Sequence, residues 1–188
     1  SQTQAKIVDL KSILGEFPII LRQLFFNKWI AVSWQYIENI ISYFSLPFFF
    51  TTGSPHGNQG IGNAGVLQVF TFPFILIGFY FYIREKMHSL TPFFLWGVAA
   101  LLVASLSYEV PHATRGYFLV IPLTVFAAYG VTVAVSWILI LKKPAMYIGI
   151  MGVLLFFGYS SLYFLASYFF RFPILYTKAW RAEDKNLS

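Results

Sequence analysis

The sequence predicts an all-α polytopic membrane protein: a membrane helix bundle of four transmembrane helices plus an N-terminal amphipathic interfacial helix. Three observations support this: an apolar composition, four long uncharged windows, and short polar connections between them. Of the 188 residues, 58% are hydrophobic and 11% are charged, whereas soluble domains have roughly 45–50% apolar and about 25% charged residues. A soluble fold of this size has too little interior to bury so much apolar surface. Lipid must therefore surround much of the chain.

The N-terminal segment, residues 1–64, opens on a polar stretch at Ser1 without an initiator Met or an apolar core typical of a signal peptide. This start favours a fragment of a longer protein. Residues 17–50 are apolar but interrupted by charged and polar side chains. The apolar residues that recur there every three or four positions are Ile30, Trp34, Ile37, Ile41, Phe44 and Phe48. This periodicity predicts one apolar stripe on a helix that lies in the membrane interface or against other helices.

A fifth span near Asn39–Thr52 is the weaker alternative, because Pro47 and several serines interrupt it. The following stretch, Thr51–Gly65 (TTGSPHGNQGIGNAG), is rich in Gly, Pro and Asn and is therefore a predicted loop. It lacks the G-K-[ST] ending of a phosphate-binding P-loop, so a flexible connector is favoured over a phosphate cradle. His56 in this loop is either solvated or lines a site.

Four windows reach the roughly 18 apolar residues that mark a membrane-spanning helix. They are Gly65–Ile83, Thr91–Tyr108, Gly116–Leu141 and Pro144–Phe169. Strands of a membrane barrel need only about 9–11 residues, so these windows are predicted helices. We expect one bundle over residues 65–170, followed by a polar C-terminal tail, residues 171–188.

The connections between the windows are short: Arg84–Leu90, Glu109–Arg115 and Lys142–Lys143. Basic residues in the first and third of them outnumber Arg115 alone, which favours a cytoplasmic location for those two connections. The basic C-terminal tail favours the opposite orientation, because it would lie on the same side as Arg115. The net charge of +6 suggests anionic headgroups or a phosphate ligand. The basic residues do not form a stripe with stacking aromatics, so nucleic-acid binding is not predicted.

The connection before the third window contains the strongest candidate for chemistry, since Glu109, His112 and Arg115 fall within seven residues. The planar guanidinium of Arg115 matches the geometry of phosphate oxygens, and His112 can donate to the same oxygens or carry a proton near neutral pH. A permanent cation beside a long uncharged helix needs water or an anionic partner. In the alternative interpretation, Arg115 snorkels to headgroups, His112 is exposed, and Glu109 is a turn residue.

Other chemistry has little support in the residues. The three His lack metal-ligand spacing, and the chain contains no Cys, so we predict no metal site and identify no cofactor. No Ser-His-Asp set, HExxH motif or pair of intramembrane carboxylates is present, so the residues alone do not demonstrate an enzyme. Gly149 and Gly152 are predicted to allow close helix packing.

Four blocks nevertheless occur in the order found in one family: IENIISYFSLPFFFTTGS, GNAGVLQVFTFPFILIGFYFYIREK, PHATRGYFLVIPLTVFAAYG and YFFRFPILYTKAWRAEDKN. Together they cover roughly residues 34–182. This arrangement resembles the C-terminal half of GT-C glycosyltransferases of the protein O-mannosyltransferase and lipid A aminoarabinose transferase type.

The resemblance implies a multi-pass cell-membrane protein that transfers a sugar from a polyprenyl-phosphate donor to a protein, glycan or lipid acceptor at the extracytoplasmic face. It places the Gly-rich loop, the 109–115 loop and both tails on that face. Arg115 and His112 would bind the donor phosphate, and Glu109, Tyr117 and His56 would be cavity-lining residues. The family's catalytic acidic loop lies in the N-terminal half, which this chain lacks, so the fragment alone is expected to be inactive. A transporter or channel fragment and a non-catalytic membrane scaffold subunit are the alternatives.

Overall fold

The computed structural model describes residues 28–54, 64–107 and 110–174, and every regular element in these ranges is helical. The α-helices are α1 (Lys28–Tyr43), α2 (Thr71–Glu85), α3 (Thr91–Ser105), α4 (Ala113–Ile140) and α5 (Lys143–Ala166). Shorter turns are π-helical at Pro47–Thr51 and Ser167–Arg171 and 3₁₀-helical at His88–Leu90.

Three helical segments are long and apolar enough to cross a membrane: His88–Ser105, Ala113–Ile140 and Lys143–Ile174. They coincide with the second, third and fourth windows of the sequence. The chain is therefore an all-α protein with three candidate membrane-spanning helices, consistent with a multi-pass membrane protein.

The first window, Gly65–Ile83, forms a shorter helix than the sequence predicts. Helix α2 begins only at Thr71 and has 15 residues, which gives about 22 Å at ~1.5 Å per residue. The preceding residues bond to a distant part of the chain instead, because Leu67 N donates to Phe49 O at 2.7 Å. This contact, which no local pattern encodes, delays the start of the helix.

Helices α2 and α4 cross with their backbones in close contact. A Cβ atom added to Gly78 would overlap the carbonyl oxygen of Phe126, and one added to Gly130 would overlap that of Phe74. Glycine at both positions therefore permits the approach. Phe79 stacks on Phe126 beside the crossing, with ring centroids 4.1 Å apart. Buried residues of α2 and α4 thus form the centre of the bundle.

Helix α5 is the most exposed helix of the described chain. It follows α4 after a turn at Leu141–Lys142, and a Cβ atom on Gly149 would lie 3.0 Å from the Ile138 side chain. The predicted close approach is therefore confirmed at Gly149. It is wrong at Gly152, where no described atom lies within 4 Å of the corresponding position.

Candidate functional site

The polar face of α1 binds the C-terminal end of α3. Asn39 Nδ2 donates to the carbonyl oxygens of Ser105 and Ser107, at 2.9 and 3.1 Å. The Tyr36 hydroxyl donates to the Leu102 carbonyl at 3.0 Å. The last carbonyls of a helix have no partner within that helix. These side chains of α1 therefore complete the hydrogen bonding of the α3 end.

The apolar stripe of α1 faces away from the protein. Its exposed members are Ile30, Trp34, Ile37, Ile41 and Phe44, and only Phe48, beyond the end of the helix, is buried. Glu38 also lies on the outer side, where it accepts a hydrogen bond from Trp34 Nε1 at 2.7 Å. An outward apolar face and an inward polar face are the reverse of the usual arrangement in a soluble helical protein.

Tyr43 links the end of α1 to the loop that precedes α4. Its ring is 1% exposed and meets Phe48 edge to face at 5.5 Å. Its hydroxyl accepts from His112 N at 3.4 Å and donates to Ala104 O at 3.5 Å. Burial raises the pKa of Tyr43 above its ordinary value, although the bond to His112 and the charge of Arg115 act in the opposite direction.

The first turn of α4 rests on these two aromatic rings. A Cβ atom at Gly116 would lie 3.0 Å from Phe48 Cζ and 3.2 Å from Tyr43 Cε1. The position of the adjacent residue, Arg115, is therefore fixed by the α1 end and the Pro47–Thr51 turn.

His112 is the residue immediately before α4 and is buried. Its Nδ1 atom lies 2.8 Å from Thr114 Oγ1. Next to it, the Ser54 hydroxyl donates to the Pro111 carbonyl at 3.4 Å. The segment that enters the Gly-rich loop and the loop that precedes α4 therefore lie together at one end of the bundle.

Arg115 lies in the first turn of α4, where it is exposed and lines an open cleft of about 920 Å³ between α3 and α4. We call this space the Arg115 cavity. The side chains that line it with Arg115 are mostly apolar: Trp96, Ala99, Ala100, Val103, Ala104, Leu106, Ser107 and Phe118. Among these described lining residues, Arg115 carries the only charge. The site thus combines a guanidinium with an apolar wall, which suits an amphiphilic anion.

The other predicted site residues lie elsewhere or outside the described residues. His112 and Tyr117 are not among the lining residues of the Arg115 cavity; Tyr117 is exposed on α4. Glu109 and His56 fall outside the described residues. Within the described residues, no group of three or more His, Asp or Glu side chains is arranged to hold a metal ion.

Tyr43 is the residue of this region that the sequence analysis missed. Its signal was present, because Tyr36, Asn39 and Tyr43 follow one another at three- and four-residue spacing. Such spacing puts them on one helix face, and a polar face on a membrane-associated helix commonly meets protein.

No family model, curated protein or solved structure matches the chain.

Proposed function

We propose that the chain is the C-terminal membrane part of a glycosyltransferase that moves a sugar from a polyprenyl-phosphate donor to an acceptor at the extracytoplasmic face. The observation that carries this proposal is the position of Arg115 in an open cleft whose walls are mostly apolar. A polyprenyl phosphate has a matching composition, since an anionic group is joined to a long hydrocarbon chain.

The location of Arg115 favours phosphate over a neutral headgroup. Its guanidinium presents paired donors that match phosphate oxygens. It also lies in the first turn of α4, where unpaired backbone N–H groups and the positive end of the helix dipole attract anions. A cation at this end of a helix is unfavourable by itself, so a bound anion would relieve the repulsion.

The chemical role of Arg115 follows from the leaving group of such a transfer. When the sugar leaves its carrier, negative charge grows on the lipid phosphate. A fixed guanidinium stabilises that charge in the transition state. The base that deprotonates the acceptor hydroxyl would come from the N-terminal half of the protein, as the family resemblance implies, and this fragment alone would be inactive.

The finer membrane arrangement belongs to the same proposal. In this arrangement α2 is a fourth span. Residues 64–70, which lie against the Pro47–Thr51 turn, extend it to the length needed to cross the membrane. Helix α1 would lie in the interface, with its exposed apolar stripe toward lipid and its polar face on α3. Basic residues at Arg84, Lys86 and the Lys142–Lys143 turn would lie in the cytoplasm, which puts Arg115 at the opposite face.

The test is substitution of Arg115 in the full-length protein. We expect Arg115→Ala to reduce sugar transfer from a labelled polyprenyl-phosphate donor by about 10²–10³-fold, the usual effect of removing one charge-stabilising donor. Arg115→Lys should retain part of the activity, because it keeps the charge but loses the planar fork. Binding of polyprenyl phosphate to the protein in nanodiscs should weaken in the same order.

Arg84→Ala is the matched control. Its guanidinium lies over the Tyr80 and Phe81 rings, 5.9 and 5.8 Å from their centroids, and it does not line the Arg115 cavity. Transfer by this variant should match the wild type. Full transfer by a folded, membrane-inserted Arg115→Ala variant would remove Arg115 from the phosphate role.

A further inference from the structure

A second cavity, of about 380 Å³, lies on the other side of the contact between α3 and α4. Gly97 and Pro122, which face each other across that contact, both line it. Trp96 and Val103 line the Arg115 cavity instead, so two different faces of α3 bound the two spaces. We call the second space the apolar cavity. The end of α1, the Pro47–Thr51 turn and α2 complete its wall.

The wall of this cavity suits only hydrocarbon. Its described lining residues are aliphatic and aromatic apart from the hydroxyl of Tyr43, which is already bonded to His112 N and Ala104 O. Water is stable in a cavity only where it finds two to four polar partners. The volume lies within the range of about 300–1,000 Å³ that is typical of ligand sites.

The mouth of the apolar cavity opens toward the surface that a bilayer would cover. Its rim includes exposed side chains of α3, Phe94 and Val98, and of α2, Leu76. The α3 segment is one of the candidate membrane spans. The deeper wall is buried, with Phe49, Ile75 and Leu119 at 6–8% exposure. A chain that enters from the bilayer would therefore reach residues that surrounding lipid does not touch.

We propose that the apolar cavity binds one acyl chain of a membrane phospholipid, at a site separate from the Arg115 cavity. The described lining residues include no cation, so the wall offers nothing to a phosphate, and the headgroup remains outside. A polyprenyl phosphate held at Arg115 would instead begin its chain on the opposite face of α3. This inference does not depend on the proposed transferase activity.

The test uses the full-length protein in nanodiscs that contain a phospholipid with a diazirine near the end of one acyl chain. After illumination, mass spectrometry locates the adducts. We expect adducts on peptides containing Phe49, Ile75 and Leu119, in addition to those on exposed residues of α5. Adducts confined to exposed residues would overturn the proposal.

Gly97→Leu is designed to fill the cavity. A Cβ atom at Gly97 would lie 3.4 Å from Pro122 Cγ, and both residues line the cavity, so the new side chain competes with a bound acyl chain for the space beside Pro122. We expect labelling of the buried wall to fall about tenfold, equivalent to ~1.4 kcal/mol of lost binding. Gly152→Leu makes the same change where no described atom lies within 4 Å, and should leave wall labelling unchanged. Unchanged wall labelling in folded Gly97→Leu would overturn the proposal.

Three further measurements test the proposal. If Gly97→Leu fails to fold, Leu123→Phe fills the same cavity from α4 and should reduce wall labelling. Arg115→Ala should leave wall labelling at the wild-type level, whether or not it abolishes transfer. Displacement of the labelled phospholipid from the wall by added polyprenyl phosphate would show that the cavity belongs to the carrier site, and would overturn the proposal.

Discussion

Helices α1 and α2 are held to the rest of the bundle in opposite ways. Helix α2 meets α4 through Gly78 and Gly130, where the two backbones are close, and one hydrogen bond, from the Tyr129 hydroxyl to Glu85 Oε2 at the end of α2, joins the same two helices. Helix α1 meets α3 through Asn39 and Tyr36, whose polar groups donate to carbonyl oxygens. Its apolar stripe faces outward.

The difference shows two solutions to one problem. In the membrane arrangement that we propose, burying an apolar side chain between helices brings little gain, because hydrocarbon surrounds it in either state. Close packing at small residues and hydrogen bonds between helices are the remaining sources of attraction. The α2–α4 contact relies mainly on the first, and the α1–α3 contact relies mainly on the second. We expect the first to control assembly of the bundle and the second to control the local geometry near Arg115.

Breaking the glycine contact should have the largest effect on stability. Gly78→Ala places a Cβ atom where the Phe126 carbonyl oxygen lies, so α2 must move away from α4. Overpacking of this kind typically costs about 1–3 kcal/mol, occasionally more. The free energy of unfolding in bicelles, measured by steric trapping or by denaturant titration, should fall by at least that amount.

Gly152→Ala provides the comparison for this change. The new methyl group meets no described atom within 4 Å, and alanine is about 0.8–1.0 kcal/mol more favourable than glycine inside a helix. The control should therefore be neutral or slightly stabilised. Equal unfolding free energies for the Gly78 and Gly152 variants would contradict the close α2–α4 crossing.

Removing the polar contact should have a smaller and more local effect. Asn39→Ala takes away the donor to the Ser105 and Ser107 carbonyls. Hydrogen bonds between membrane helices contribute about 0.6 kcal/mol each on average, with a maximum of ~1.7, so we expect a loss of about 1–2 kcal/mol. Hydrogen exchange should accelerate in the last turn of α3 and remain slow in α4.

Gln35→Ala calibrates this result. Gln35 Nε2 donates to Asn39 Oδ1 at 3.0 Å, so its removal leaves the two bonds to α3 in place. The loss of stability should be smaller than for Asn39→Ala. If exchange at the α3 end is the same in wild type and Asn39→Ala, the α1 contact does not hold that end.

The contrast between the two contacts also explains how far the sequence could predict the fold. Long uncharged windows identified three candidate spans because membrane insertion depends on composition over a length that can be counted. Periodicity predicted the α1 stripe, but it does not tell which face of the helix meets protein, because the favoured face differs between water and lipid. The late start of α2 at Thr71 depends on the long-range Leu67–Phe49 hydrogen bond, which leaves no local pattern.

For the candidate site, too, the sequence predicted residue types but not the long-range arrangement. The residue type and neighbours of Arg115 predicted an anion site, but the cavity that it lines depends on the position of α3. The contacts of His112 in the structure are ones that spacing alone did not reveal. Its ring nitrogen meets Thr114 Oγ1, two residues along the chain, and its side chain is buried. Binding of the donor phosphate by His112 remains a prediction.

The smallest expected effect concerns Tyr43 at the end of α1, and it depends on pH. Tyr43→Phe keeps the ring packed against Phe48 and removes the hydroxyl that joins His112 N to Ala104 O. At neutral pH we expect a loss of about 0.5–1 kcal/mol of unfolding free energy. Because burial raises the pKa of Tyr43 above 10.0, the unfolded chain releases this proton at a lower pH than the folded protein.

The contribution of the Tyr43 hydroxyl is therefore fully present below about pH 10 and is lost as the pH rises through the raised pKa of the folded protein. The stability advantage of wild type over Tyr43→Phe should shrink in bicelles as the pH rises above 10. A difference between wild type and Tyr43→Phe that stays constant across this range would mean that the Tyr43 hydroxyl is not buried between α1, α3 and the loop before α4.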